Sequence, residues 1–202
     1  GVDCIIDGEA EKVVGGIVRR LLNGEEVPKY FEVPLPDVPA LDEIPDIVNP
    51  SVNGLIEIGR GCCRGCKFCS VTLRPLRWYS YDKIVREIEV NNRNKRQIYL
   101  HAEDVMLYGS KNTIPNENKV VKLHEIVAEK CIDIGWSHTS IAAVAAKPKV
   151  FRKVSEIILS KQDWWGAEIG IETGSPQLAK KTMPAKAHPF KPEEWPEIVI
   201  QA

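Results

Sequence analysis

Residues 54–70 read Gly-Leu-Ile-Glu-Ile-Gly-Arg-Gly-Cys-Cys-Arg-Gly-Cys-Lys-Phe-Cys-Ser. The first five residues predict a buried strand, and the loop after it carries Cys62, Cys66 and Cys69 in the spacing Cys-x3-Cys-x2-Cys. Soft thiolate ligands select zinc, copper(I) or iron–sulfur clusters. Three ligands leave one metal position open, and on a [4Fe–4S] cube that position is an iron without a protein ligand.

The bulk composition is that of an ordinary globular protein. The 202 residues are 44% hydrophobic and 27% charged, and the net charge of −1 favours neither nucleic acid nor anionic lipid as a partner. No apolar run approaches the roughly 20 residues of a membrane helix. Four of the six cysteines lie within residues 62–69, too close for most disulfide pairings. This crowding favours a metal site in the reducing cytoplasm.

Strand and helix patterns alternate after residue 54. Strands are predicted at 54–58, 97–100, 132–136 and 167–171, and helices at 82–90, 117–130, 148–159 and from 176 onward. Ser175 is the predicted cap of the last helix, with Pro176 at its first position. Such βα units form parallel sheets and place their sites after the carboxyl ends of the strands. Because a full (β/α)8 barrel takes about 250 residues, we predict an α/β fold that is a partial TIM-type barrel.

The first 50 residues have a different character. Residues 2–9 predict a short strand and a turn, followed by a helix over roughly 10–22. Six of the fourteen prolines lie between residues 27 and 50, which predicts a stiff connector without regular structure. The first strand and helix have nothing nearby to pack against, and the residues from 54 onward are too few for a full barrel. We therefore expect a fragment cut at both ends. Half a barrel exposes a sheet edge, so a dimer or swapped assembly is expected.

The cysteine motif resembles the signature of the radical S-adenosylmethionine (SAM) superfamily. Phe68, which precedes the last cysteine, and the Gly59-Arg60-Gly61 lead-in fit that signature too. Residues 170–175, Gly-Ile-Glu-Thr-Gly-Ser, are similar to the fourth-strand segment of radical SAM barrels. The resemblance covers about residues 50–190. It implies that residues 51–202 form the N-terminal half of such a barrel.

The front of the chain resembles a second domain. Asp7-Gly8-Glu9 before a helix, followed by a proline-rich stretch, is similar to the tail of the cobalamin-binding domain that precedes many radical SAM barrels. The resemblance assigns residues 1–26 to that tail and 27–50 to a linker. It implies cobalamin only for a longer protein, because the cobalamin-ligating histidine segment is not in this sequence.

The resemblance implies an enzyme that cleaves SAM reductively to methionine and a 5′-deoxyadenosyl radical, for hydrogen abstraction or methyl transfer on an undetermined substrate. A flavodoxin or ferredoxin would supply the electron. Cys62, Cys66 and Cys69 would bind the [4Fe–4S] cluster, and no catalytic residue is assigned. The implied SAM contacts are Phe68, near the adenine, and polar residues after three strands: Glu103 or Asp104, Ser137 and His138, and Glu172 or Thr173.

Two other functions remain open on sequence alone. The cysteines could form a structural zinc site with Cys63 as fourth ligand, although zinc prefers a closed site and adjacent cysteines rarely share one ion. They could instead hold an electron-transfer cluster, which requires a fourth cysteine, typically followed by Pro. The remote cysteines are Cys4 and Cys131, and neither precedes a proline. The strand-end acids could equally be caps or loop residues, and Arg60 and Arg64 could neutralise a cluster or lie in solvent.

Overall fold

The computed structural model describes residues 2–71, 74–94, 97–131 and 133–202. The chain divides into two units, Gly1–Pro45 and Asp46–Ala202. Among the helices formed by the described residues, none combines the length and the apolar character needed to cross a membrane.

The first unit is built on two short parallel strands. Strand β1 (Ile5–Asp7) pairs with β2 (Tyr30–Glu32), and helix α1 (Val14–Leu22) connects them. Gly8 has a φ of +118°, and a Cβ there would lie 2.8 Å from the Cβ of Val33. Strand β2 falls inside the stretch expected to lack regular structure. Three extended residues between prolines leave no readable alternation, and their pairing with β1 is what makes them a strand.

The second unit is an α/β structure around a four-stranded parallel sheet. Its strand order is β3–β6–β7–β8. The strands of this sheet therefore lie side by side in the order in which they occur along the chain. A small antiparallel pair, β4 with β5, lies outside this sheet. The strands are β3 (Leu55–Glu57), β4 (Gly59–Arg60), β5 (Arg77–Trp78), β6 (Ile98–His101), β7 (Ile134–Ser140) and β8 (Ala167–Gly170). The predicted α/β class with a parallel sheet is confirmed.

Helices follow the strands of the sheet, and α2, α3, α4 and α6 start at side-chain caps. The side chains of Ser80, Asn116, Ser140 and Ser175 each accept a hydrogen bond from a backbone N–H in the first turn of a helix. The predicted cap at Ser175, with Pro176 beginning the helix, is confirmed. The helices are α2 (Tyr81–Asn92), α3 (Glu117–Lys130), α4 (Ile141–Ala146), α5 (Pro148–Leu159), α6 (Pro176–Thr182) and α7 (Trp195–Gln201).

Strand β7 is longer than the sequence pattern indicates. The predicted strand covered residues 132–136, of which Ile132 lies outside the described residues. The observed strand runs through Ser140, because His138, Thr139 and Ser140 pair with β8 after a register shift at Trp136/His138. Ser137 and His138 therefore lie within a strand, although their polarity predicted the loop after it.

A buried histidine fixes the packing of α3 on the sheet. His124 is fully buried, and its Nε2 accepts a 2.8 Å hydrogen bond from the indole N–H of Trp136. Since Nε2 is an acceptor, Nδ1 carries the proton and donates to the Val120 carbonyl at 2.7 Å. Both ring nitrogens are satisfied only in the neutral imidazole. Burial accordingly lowers the pKa of His124 to about 4.

The lowered pKa of His124 predicts that the fold loses stability in acid. In the unfolded chain its pKa is about 6.5, so between pH 6.5 and 4 the unfolded state binds a proton that the folded state does not. The free energy of unfolding should therefore fall by about 3 kcal/mol as pH decreases through that range. Urea titrations at pH 7 and pH 4.5 measure this. His124→Gln removes the titrating group, and an equally steep acid loss in that variant would contradict the assignment.

Candidate functional site

A cavity of ≈ 160 Å³ lies at the carboxyl ends of β6, β7 and β8. The three motif cysteines line it together: Cys62, Cys66 and Cys69. Four other residues that the sequence singled out line the same cavity: Phe68, Glu103, His138 and Glu172. The structure thus brings seven predicted site residues, from four segments of the chain, to one place.

The cysteine loop leaves the sheet through the β4–β5 pair. Gly59 pairs with Trp78, and a Cβ on Gly59 would lie 2.3 Å from the indole ring. Gly61 has a φ of +84°, and a Cβ there would lie 2.2 Å from the carbonyl oxygen of Pro75. Both positions exclude a side chain. The Gly-Arg-Gly lead-in is therefore required by the close approach of the backbone where the loop begins.

Asp104 lies behind the cavity wall rather than in it. Its carboxylate is buried and forms an ion pair with Arg64 at 3.1 Å. It also accepts hydrogen bonds from Thr139 at 3.0 Å and Ser140 at 2.5 Å. Of the two acids after β6, Glu103 lines the cavity, whereas the carboxylate of Asp104 is bound within this buried network. Arg64, for which solvent exposure remained open from sequence, is only 4% exposed.

Two further predicted residues also lie outside the cavity lining. Ser137 is buried and donates to the carbonyl oxygen of Ala102 at 3.3 Å. The hydroxyl of Thr173 accepts from the backbone N–H of Ser175 at 3.0 Å, which helps form the turn into α6. Both hydroxyls therefore form hydrogen bonds with backbone groups.

Glu172 and Lys186 form an ion pair at the cavity. Glu172 follows β8 with a φ of +56°, and a Cβ on Gly170 would lie 2.5 Å from its carboxylate. Sequence reasoning missed Lys186, which stands in a short turn after α6 where no periodic pattern marks it. Among the described residues of the lining, its ammonium and the guanidinium of Arg64 are the cationic groups.

The thiols differ in exposure and in acidity. Cys66 is buried, Cys62 and Cys69 are partly buried, and Cys63 is exposed and is not among the cavity-lining residues. Burial raises the pKa of Cys62 to about 11, opposed by a hydrogen bond from the backbone of Arg64. Burial also raises the pKa of Cys66, opposed by the charge of Lys186. Burial thus disfavours the thiolate form of both residues.

The site's chemistry fits a thiolate-bound group, although the side chains are not in a ligating arrangement. Within the described ranges, no three His, Cys, Asp or Glu side chains are placed to hold a metal ion. Three thiols nevertheless share one cavity with Arg64 and Lys186, each of which is already paired with a carboxylate. The buried Nε of Arg64 has no hydrogen-bond partner among the described residues. A sulfur-rich anionic cluster would supply an acceptor for that N–H.

A fourth cysteine ligand is not available from Cys131. This residue is buried directly after α3, before the amino end of β7, whereas the cavity lies at the carboxyl ends of the strands. Burial raises the pKa of its thiol to about 12. Cys131 therefore packs as a small apolar residue.

Comparisons of this sequence with protein-family models and with curated proteins gave no match. The functional interpretation therefore depends on the motif and on the geometry of the cavity.

The entry to the loop can be tested by substitution. Gly61→Ala places a methyl group against the Pro75 carbonyl at a φ that L-residues rarely adopt. We expect the free energy of unfolding to fall by about 1–3 kcal/mol. We also expect Cys62 and Cys66 of the iron-free protein to react faster with iodoacetamide, as read by mass spectrometry. Gly174→Ala is the control, since nothing lies within 4 Å of a Cβ there; equal effects of both changes would contradict the prediction.

Proposed function

We propose that this chain carries the cluster-binding part of a radical SAM enzyme, and that its parallel sheet belongs to a partial barrel of that type. The observation that carries the proposal is the convergence of Cys62, Cys66 and Cys69 on one cavity at the carboxyl ends of the sheet, together with Glu103 and Glu172. Polar groups at this edge are where β/α folds place their chemistry.

The three cysteines would hold a [4Fe–4S] cluster, and such a cluster supplies the single electron that cleaves the C5′–S bond of SAM. The residues of this chain would bind and orient SAM and exclude water from the site. Lys186 and Arg64 place positive charge beside the thiolates. Cysteines bind iron as thiolates, so they must lose their protons on ligation. Cysteines joined in disulfides cannot do this, so the site requires a reducing compartment such as the cytoplasm.

The side chains around the cavity suit the parts of SAM. The cavity volume of ≈ 160 Å³ is below the about 300–1,000 Å³ of typical ligand pockets. The cavity itself therefore suits a small inorganic group, and SAM would contact the residues at its rim. Phe68 is 60% exposed and offers an apolar ring to the adenine. Glu103 would accept from the SAM amino group, and Glu172, held by Lys186, would accept from the ribose hydroxyls. His138, paired with Glu168 at 3.3 Å, lines the same cavity.

The proposal includes the partners that this chemistry needs. SAM is the small-molecule partner, and a flavodoxin or ferredoxin is the electron donor. Cobalamin would be used only by a longer protein that includes its binding domain. The exposed position of Cys63 argues against a four-cysteine zinc site, and the position of Cys131 removes it as the fourth ligand of an electron-transfer cluster.

Anaerobic reconstitution with ferrous iron and sulfide tests the cluster. We expect about four irons per chain for the wild type and for Cys63→Ala, and a loss of most of this iron in Cys62→Ala, Cys66→Ala or Cys69→Ala. The electron paramagnetic resonance spectrum of the reduced cluster should change when SAM is added. A cluster indifferent to SAM would instead identify an electron-transfer protein, and tight zinc without a cluster a structural site; either result would refute the proposal.

The SAM contact of Glu103 can be separated from cluster binding. Glu103→Gln keeps the shape but removes the charge that would accept from the SAM ammonium, so SAM should bind about tenfold more weakly. Titration of the spectral change with SAM measures this, and the iron content should stay at the wild-type level. Glu125→Gln, on the exposed side of α3, is the control. Unchanged SAM affinity in Glu103→Gln would remove this residue from the binding site.

A further inference from the structure

Arg64 is a buried charge inside the cysteine motif, between Cys62 and Cys66. Its Nη2 donates to the carboxylate of Asp104 at 3.1 Å and to the hydroxyl of Ser140 at 2.6 Å. Asp104 lies just beyond the carboxyl end of β6, and Ser140 is the last residue of β7. One nitrogen of Arg64 thus joins the loop to the ends of two strands.

The other terminal nitrogen reaches a third segment. Nη1 of Arg64 donates to the carbonyl oxygen of Ala185 at 3.2 Å and to that of Lys186 at 2.9 Å. The backbone N–H of Lys67 donates to the carbonyl oxygen of Thr182, the last residue of α6, at 2.8 Å. The loop is therefore attached to the α6 region on both sides of Cys66.

The backbone between these attachments turns sharply. Gly65 has a φ of +63°, and nothing lies within 4 Å of a Cβ built there. Its conformation is not imposed by crowding. The attachments on either side of it, at Arg64 and Lys67, are what fix the path of the chain into Cys66.

We infer that Arg64 is a positioning residue that fixes the cysteine loop so that Cys62 and Cys66 line the same cavity; this inference rests on the proposed function. Arg64 is part of the loop that carries the cysteines, and its side chain contacts three other segments. A guanidinium can do this because its five N–H donors lie in a rigid plane. An ammonium group has the same charge, but its donors all lie on one nitrogen. It therefore cannot replace two separate nitrogens that donate to Asp104 and to the two carbonyls.

A lysine substitution separates positioning from charge. Arg64→Lys keeps the buried positive charge beside Asp104 and gives up the contacts to Ala185 and Lys186. We expect its iron affinity after anaerobic reconstitution to fall about tenfold, because the charge-assisted hydrogen bonds from Nη1 to these two carbonyls are lost. In the iron-free protein, Cys66 should react several-fold faster with a maleimide, as read by peptide mass spectrometry. Because the carbonyls of Ala185 and Lys186 lose their donor, the thermal midpoint should also fall, and the double variants below separate this loss from the positioning effect.

Two double variants address the alternative of simple destabilisation. Arg64→Met with Asp104→Leu removes both buried charges, which avoids leaving one of them unpaired. Lys83→Met with Glu87→Leu removes a comparably buried ion pair on α2, whose N–O distance is 3.2 Å and whose residues do not line the cysteine cavity. Asp46, which Lys83 also contacts at 2.8 Å, keeps Arg86 as a partner. We expect the first double variant to lose iron affinity and gain Cys66 reactivity, and the second to do neither, whatever its thermal midpoint.

The outcomes distinguish this inference from the proposed function. A wild type that assembles no cluster refutes the proposed function, and the maleimide rates in the iron-free chain still decide the role of Arg64. Wild-type iron affinity and Cys66 reactivity in Arg64→Lys, or in the Arg64/Asp104 double variant, would overturn the positioning role. So would an equal loss of iron in the Lys83/Glu87 variant.

Discussion

The buried ion pair between Arg64 and Asp104 is the constraint on which the candidate site depends. Burying two charges costs several kcal/mol per ion, and only near-complete hydrogen bonding offsets that cost. Asp104 accepts from Arg64, Thr139 and Ser140, while Arg64 adds two backbone carbonyls. The ends of two strands and the turn after α6 must therefore meet at one point. A loop with little regular structure of its own acquires a defined path from that requirement.

The sheet makes this meeting feasible. Parallel strands in sequential order bring their carboxyl ends to one edge. The length of β7 then matters, because only a strand that continues to Ser140 carries its hydroxyl to Asp104 and Arg64. That hydroxyl also accepts from the backbone N–H of Ala143 and starts α4. One side chain thus ends a strand, caps a helix and completes the buried network.

The sequence predicts the regular parts of this fold well and the contacts of the loop poorly. Helices α3 and α5 have the predicted bounds, because their apolar residues recur at helical spacing over three turns or more. The two-residue strands β4 and β5 are too short for any periodicity, and the polar end of β7 is typical of a loop. The burial of Arg64 cannot be inferred from its polar neighbours, since the groups that offset its charge lie 40 or more residues away.

The ambiguity between neighbouring acids after β6 has a structural answer that the sequence cannot provide. Glu103 lies in a bend after β6 and lines the cavity, whereas Asp104, with extended dihedral angles of −159° and 98°, lies in the buried network. A carboxylate turned inward needs a cation, and the cysteine motif itself supplies one in Arg64. The bend that leaves Glu103 at the cavity is thus followed by the residue whose ion pair anchors the cysteine loop beside it.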